Sequence, residues 1–383
     1  MKVRDFWTDL VIGEYATNLQ VTRTTFMRHF DTLRGLGGEA WSLLFGNRYA
    51  DQSGASEAIG DLLAHMEGKE GAPVQITYSD SYSSFVFPWN ILYPPDGSGD
   101  VDPYCFWGAK YQIEQVTAGP KADGLSDAPI RVLFAMDPGF ANSPYQRSLL
   151  KKFQANAQGR LLVTDPISDR QTLFEELVRD PSAHLLYFYC HGYSSTSMGK
   201  VRANGVAVLK KRIEELPDGS PERKAFETLL ALMSKTGDDS WIYVGGAEIK
   251  KAELARLKNY FQKRRPIVFL NMCQSADLFP SMREGLVRLF LDHNASALVG
   301  TESPVTAVFA SPFAAVLLDA LLTGDNIGTA LWKARRKFLA IGNPLGFIYT
   351  LYGRAVVKLG KQPVLSASVL DDAPTKGQED AEC

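Results

Sequence analysis

The sequence predicts an α/β protein built on a mostly parallel sheet flanked by helices, with an α+β region before it. The first observation is a set of apolar runs of strand length: PIRVLFAMDP, HLLYFYC, PIVFLNM and ASALVGT, with a shorter one in RLLVTDP. Segments with helical spacing of apolar residues, such as QRSLLKKFQANAQ and SDRQTLFEELVRD, lie between most of these runs. Strands that are apolar along their whole length are typical of a parallel sheet covered on both faces.

The region before the sheet has a different pattern. Residues 1–70 show helical spacing interrupted by glycines, first over 24–33 and then in GGEAWSLLFG. From residue 74 the pattern alternates, as in VQITYSD, which favours strands. The stretch TAGPKADGLSDA has the glycine, proline and small polar residues of a linker. We therefore predict an N-terminal α+β region at 1–123 and an α/β domain at 124–360.

Two helix signals close the α/β domain. Ser311 and Pro312 suit the N-cap and first position of a helix that ends at Gly324, and a second helix ends at Gly342. A strand-like segment, GFIYTLYG, follows. The acidic, polar tail at 361–383 is predicted to be disordered.

Residues 199–240 interrupt the alternation of strands and helices as an insertion. Within them SPERKAFETLLALMSKTG predicts a helix capped by Ser220. We favour a surface excursion that packs on the domain, because long surface insertions cost little loop entropy. A regulatory role stays open, since the insertion follows the end of the strand HLLYFYC.

Composition and charge exclude several classes of partner and cofactor. A net charge of −2 leaves no basic excess for nucleic acid. The longest apolar region, 307–322, contains a proline and an aspartate, so no membrane span is expected. Asp9 and Glu14 interrupt any apolar stretch that a signal peptide would need. The four cysteines are Cys105, Cys190, Cys273 and Cys383, and their spacing matches no metal site. This pattern favours a reduced cytoplasmic setting without metal or cofactor.

Two of the apolar runs are followed by reactive side chains. His191 follows HLLYFYC, and Cys273 follows PIVFLNM. Parallel strands end at the same edge of a sheet and neighbouring strands are about 5 Å apart, so the two residues can meet there. An adjacent imidazole can take the thiol proton and create a nucleophilic thiolate. The backbone N–H groups of Gly192 and Cys273 would stabilise the oxyanion, because glycine lets a carbonyl approach closely.

The alternative for each residue is structural. A cysteine after an apolar strand is more often a buried hydrophobic residue than a nucleophile, and a histidine at a strand end is usually a loop residue. The presence of both at one predicted sheet edge brings the two interpretations to even weight. Cys190 precedes His191 and points to the opposite face of its strand, so we predict that it lies in the core.

At these residues the sequence resembles a known family. LLYFYCHGYSS resembles the histidine motif, and IVFLNMCQSA the cysteine motif, of CHAT-domain peptidases, which are relatives of caspases, separase and gingipains. Further similar stretches occur in family order over about 35–355: GGEAWSLLFG, FPWNILYPP, PIRVLFAMDPG, ALVGTESPV and GTALWKARRKF. The resemblance implies a caspase-like fold and endopeptidase activity, with Cys273 as nucleophile, His191 as its partner and no third catalytic residue. Ser303 stands where many members have tryptophan, which leaves substrate preference open.

Three acidic residues are candidates for binding a basic side chain of the substrate. Asp137 follows RVLFAM, Glu302 follows ALVGT, and Asp277 lies shortly after Cys273. If they line one pocket, they would favour a basic residue before the scissile bond. The alternative, which we favour for Asp137 and Glu302, is that they cap the following turn or helix.

Several functions are compatible with these observations. The leading hypothesis is a cysteine endopeptidase that cuts a specific protein. For this hypothesis the resemblance implies a bacterial immunity or cell-death setting, in which some CHAT peptidases process a gasdermin. Other members are fused to repeat domains that this sequence lacks, so an activator is expected to be separate or absent, and a gasdermin-like partner encoded nearby is a hypothesis. The second is a catalytically silent caspase-fold interaction module, and the third is a thiol acyltransferase acting on a small molecule in a closed pocket.

Overall fold

The computed structural model describes residues 2–45, 64–78, 87–94, 99–117, 129–138, 143–156, 161–179, 183–193, 207, 210–211, 213–220, 223, 227, 230, 240–245, 247–256, 261, 265–272, 285–303 and 305–359. The predicted boundary at 123/124 and the predicted disordered tail lie outside these residues.

The helices within the described residues have the following bounds: α1 Lys2–Ile12, α2 Arg23–Phe45, α3 Trp107–Lys110, α4 Ser143–Asn156, α5 Arg170–Arg179, α6 Lys251–Leu254, α7 Leu286–Asp292, α8 Ala307–Leu322 and α9 Ile327–Ala340. Short 3-10 helices span Trp89–Ile91, Pro103–Cys105 and Pro344–Ile348. No helix in the described part of the chain is long and apolar enough to cross a membrane.

The described strands form two sheets. Their bounds are β1 Pro73–Tyr78, β2 Gln112–Thr117, β3 Ile130–Met136, β4 Leu161–Val163, β5 Leu185–Tyr189, β6 His191–Tyr193, β7 Trp241–Val244, β8 Ala247–Lys250, β9 Ile267–Leu270, β10 Ala297–Thr301 and β11 Tyr349–Gly353. An eight-stranded sheet has the order β1-β2-β11-β10-β9-β5-β3-β4, and a three-stranded sheet has the order β6-β7-β8. In the larger sheet β11 runs antiparallel to β10, whereas the other neighbouring pairs are parallel.

The predicted fold class is confirmed, because the four long apolar runs form β3, β5, β9 and β10 at the centre of the larger sheet. Side chains alternate between two apolar layers. Phe134, Tyr187 and Phe269 pack with α4, α8 and α9 on one face. Phe188 and Leu270 pack with α5 and α7 on the other. Both faces of these strands are buried, which is why the runs are apolar throughout.

The N-terminal region contributes two strands to the same sheet, with β1 paired to β2 and β2 paired to β11. The predicted glycine breaks in this region are wrong for α2, which continues from Arg23 to Phe45. Gly37 is buried in α2 where the helix meets the 3-10 segment, and a side chain there would overlap the carbonyl oxygen of Ile91. The glycine therefore permits close packing rather than a break.

Two alanine substitutions in α2 should have opposite effects. We expect Gly37→Ala to lower the free energy of unfolding by about 1–3 kcal/mol, because the new methyl group is forced against the Ile91 backbone. Gly35→Ala is the matched control. Its methyl group meets nothing within 4 Å, so it should stabilise the helix by about 0.5–1 kcal/mol. Urea unfolding of both variants measures the difference, and equal midpoints would contradict the packing argument.

The first closing helix begins earlier than predicted. Thr306 is the N-cap of α8, and Pro312 lies inside the helix, so the assignment of Ser311 as N-cap is wrong. Ser311 is buried, and its hydroxyl oxygen instead accepts a hydrogen bond from Gln146 Nε2 at 2.7 Å. The predicted helix ends are confirmed, since Gly324 and Gly342 follow α8 and α9 with φ of 105° and 80°.

The small antiparallel sheet was not predicted. After Cys190 the chain enters β6, which pairs with β7, and β7 pairs with β8. Most of the 199–240 insertion lies outside the described residues. The predicted cap is present, because the Ser220 hydroxyl oxygen accepts a hydrogen bond from the Arg223 backbone N–H at 3.2 Å.

Candidate active site

The carboxyl ends of β3, β5, β9 and β10 lie along one edge of the large sheet. The register pairs Met136 with Tyr189 and Phe188 with Leu270. Beyond these ends come the segments that carry the predicted site residues. Functional groups collect at such edges in open parallel sheets, because the loops after the strands meet there.

The structure describes only part of the predicted dyad. His191 is the first residue of β6, and its backbone pairs with Tyr243. Gly192 follows it and pairs with Ile242. The chain therefore changes sheets at this point, instead of entering an irregular loop. Cys273 and Asp277 lie outside the described residues.

Asn271, which directly follows β9, makes four hydrogen bonds. Its backbone N–H donates to the carbonyl oxygen of Phe188 at 3.0 Å. Its Nδ2 donates to the Tyr187 hydroxyl and to the carbonyl oxygen of Ala310, both at 3.0 Å. Its Oδ1 accepts from the Tyr349 hydroxyl at 2.7 Å. Strand β5, strand β11 and helix α8 thus all orient this side chain.

The next residue, Met272, is also anchored. Its carbonyl oxygen accepts a hydrogen bond from the Thr301 hydroxyl at 2.5 Å. Its sulfur lies 3.9 Å from the sulfur of Cys190, and both side chains are buried in the layer that faces α5 and α7. Cys190 is therefore a core residue, as predicted.

The polar contacts of Asn271 continue into the core through Tyr187. The Tyr187 hydroxyl donates to Gln146 Oε1 at 3.0 Å, and Gln146 Nε2 donates to the hydroxyl and carbonyl oxygens of Ser311 at 2.7 and 3.0 Å. Burial raises the pKa of Tyr187 well above its ordinary value, so its hydroxyl remains a neutral donor. We call the set of Asn271, Tyr187, Gln146, Ser311 and Tyr349 the strand-end network.

Glu302 lies at the carboxyl end of β10 but is buried, with 2% of its surface exposed. Its Oε1 accepts a hydrogen bond from the Thr350 hydroxyl at 2.5 Å. The fully buried guanidinium of Arg335 lies within its electrostatic reach. Burial lowers the pKa of Arg335 to about 9, and the Glu302 carboxylate opposes that shift. The buried charges of Glu302 and Arg335 therefore attract each other inside the protein.

Asp137 follows β3 and is 5% exposed, with its backbone N–H donating to the carbonyl oxygen of Tyr189 at 2.9 Å. Strands β5 and β9 lie between β3 and β10. At a strand spacing of about 4.8 Å, Asp137 and Glu302 are attached about 14 Å apart. The structure thus does not bring these two acids together at one point of the edge.

Sequence reasoning missed the residues that surround the dyad positions. The sequence prediction gives Asn271 no role, although a polar residue directly after four apolar ones is a signal for one. Thr301 and Tyr349 carry no such signal, because their partners are distant in sequence. In the part of the chain that the structure describes, no three His, Cys, Asp or Glu side chains are grouped to hold a metal ion.

The fold and this edge define an α/β protein with a mostly parallel sheet and a buried polar network at its carboxyl end. No protein-family model matches the chain. Over 201 residues it is 26% identical to a probable protease of Vitiosangium sp., a match that covers 52% of this chain and 22% of that relative. The chain thus spans about a fifth of the relative's length. The crystal structure of the Arg-specific cysteine proteinase gingipain R aligns with a TM-score of 0.47 and 10% identity, over 86% of this chain and 76% of that one.

Proposed function

We propose that the protein is a cysteine endopeptidase of the CHAT type, with Cys273 as nucleophile and His191 as its proton carrier. One observation carries this proposal. The register pairs Phe188 of β5 with Leu270 of β9, and each predicted catalytic residue lies three positions beyond its member of that pair. The two segments thus leave adjacent, parallel strands at the same level of the sheet, within reach of one substrate bond.

The proposed reaction has two halves. His191 takes the Cys273 proton, the thiolate attacks the peptide carbonyl, and a carbon–sulfur bond forms. His191 then gives the proton to the leaving amine as the carbon–nitrogen bond breaks. In the second half a water molecule loses its proton to His191 and attacks the thioester, which releases the acid product and the thiol. The backbone N–H groups of Gly192 and Cys273 would donate to the oxyanion in both halves.

The partial sequence match supports peptide-bond hydrolysis, because the matched relative is named a probable protease. We propose a specific protein as substrate, and a gasdermin-like protein encoded nearby is the first candidate. A separate protein would act as activator in a cytoplasmic immunity or cell-death pathway. A preference for a basic residue before the scissile bond would depend on Asp137 and Asp277, since Glu302 is buried and bonds to Thr350.

Selective alkylation tests the reactive thiol without knowledge of the substrate. We expect iodoacetamide at neutral pH to modify Cys273 of the folded protein at least about tenfold faster than Cys105, because in the proposed dyad the imidazole of His191 ionises Cys273. Peptide mapping by mass spectrometry measures the rate at each cysteine.

The control for this experiment is His191→Ala. It should slow the modification of Cys273 to the rate of an ordinary thiol and leave the rate at Cys105 unchanged. Equal rates at Cys273 in the wild type and in His191→Ala would refute the dyad and favour the silent interaction module.

A further inference from the structure

We infer that Asn271 is a positioning residue, which through the strand-end network fixes the backbone that presents Cys273. This inference rests on the proposed function. Asn271 is 1% exposed, and its side chain donates two hydrogen bonds and accepts one, to three different elements of the fold. Asn271 directly follows the last residue of β9, and only Met272 separates it from the nucleophile position.

Packing alone does not require an amide at this position. The four residues before Asn271 are apolar and buried, and a leucine side chain has the same number and branching of non-hydrogen atoms as asparagine. A buried, fully bonded polar group adds little net stability compared with an apolar one of similar shape. The amide instead fixes the orientation of the backbone at Asn271, because each of its hydrogen bonds has a preferred geometry. Aspartate would not replace it, because a carboxylate cannot donate to Tyr187 and Ala310.

The neighbouring contacts act on the same segment. The Thr301 hydroxyl holds the carbonyl of Met272, and the side chain of Met272 packs against Cys190 in the opposite layer. The segment is thus fixed from both faces of the sheet immediately before the nucleophile. Displacement of a reacting group by about 1 Å can cost a hundredfold in rate, so this anchoring is expected to matter for chemistry.

The network also extends to a helix on the face of the sheet. Tyr187 connects Asn271 to Gln146 of α4, and Gln146 bonds to Ser311 of α8. The orientation of Asn271 is therefore set by the packing of two helices as well as by the sheet. A buried network of this kind is effective only when all its members are satisfied.

The test compares two asparagine variants by alkylation kinetics as a function of pH. In Asn271→Leu we expect the rate constant for iodoacetamide at Cys273 to fall about a hundredfold at neutral pH. The apparent pKa of the thiol should rise toward about 8.5, the value of a free cysteine, because the thiol no longer meets its imidazole. Asn343→Leu is the matched control. Asn343 is equally buried and makes two side-chain hydrogen bonds, to Leu19 and Leu345, neither of which belongs to the strand-end network.

The outcomes separate the two proposals. A hundredfold loss in Asn271→Leu with an unchanged pH profile in Asn343→Leu, at similar melting temperatures, supports the positioning role. If Asn271→Leu and Asn343→Leu show the same alkylation rate and the same pKa for the Cys273 thiol, the positioning role is overturned and the dyad is not affected. A wild-type Cys273 that shows no dependence on His191 overturns both. If Asn271→Leu does not fold, Tyr349→Phe removes a single donor to Asn271 and should lower the rate about tenfold.

Discussion

Substitution of Cys273 by alanine is expected to abolish cleavage of the protein substrate, with a loss of at least about 10³-fold in rate. Without the thiolate no acyl-enzyme can form, and alanine leaves only the binding and oxyanion groups to act on the peptide bond. The measurement is co-expression with proteins encoded nearby, with the gasdermin-like candidate first, and identification of fragments by mass spectrometry.

The same experiment tests whether the dyad acts as a unit. His191→Ala should cost about as much as Cys273→Ala, and the double variant should be no worse than either, because members of a catalytic unit are strongly non-additive. Cys105→Ala is the control, since Cys105 lies in a 3-10 helix of the N-terminal region. Cleavage that persists in Cys273→Ala would end the proposal of a cysteine peptidase.

Replacement of Arg335 by methionine is expected to give the largest loss of stability, about 3–5 kcal/mol. Arg335 is 1% exposed and donates to the carbonyl oxygens of Gly108, Gly346 and Tyr349. It thereby joins α9 to α3 and to the start of β11. Methionine fills a similar space but removes these bonds and the positive charge that attracts the buried Glu302.

Thermal unfolding measures this effect. The melting temperature of Arg335→Met should fall on the order of 10 °C, whereas Lys337→Met, two residues further along the same helix and exposed, should change it little. Arg335→Lys should recover only part of the loss, because an ammonium group cannot span three carbonyls in the way a guanidinium does. Identical melting temperatures for the Arg335 and Lys337 variants would show that the buried cation is not structural.

Local signals in the sequence were sufficient where the structural reason was also local. The apolar runs of β3, β5, β9 and β10 reflect burial on both faces, and each run reports that condition by itself. Gly324 and Gly342 end helices because a positive φ favours glycine, whatever surrounds it. The direction of parallel strands alone predicts that His191 and Cys273 lie at the same edge of the sheet.

Other elements depend on contacts with residues that are distant in the sequence, so local patterns do not reveal them. The glycines of α2 suggest breaks, yet Gly37 is used for contact with the backbone near Ile91. Ser311 and Pro312 look like a helix start, yet the packing of Ser311 against Gln146 lies within a longer helix. Strands β6 to β8 have three or four residues each, too short for periodicity to reveal, and exist because they pair with one another.

The sequence by itself determined the fold class and the central strands, because burial and strand direction are properties of continuous segments. It also supplied the two residues proposed for catalysis, which follow two of those strands. Only the tertiary structure decided that Glu302 is buried against Thr350, that Asp137 lies three strands away from it, and that Asn271 bonds to Tyr187, Ala310 and Tyr349. These contacts join residues that are far apart in the chain. A hydrogen bond depends on the position of both partners, and the packing of the helices on the sheet sets those positions.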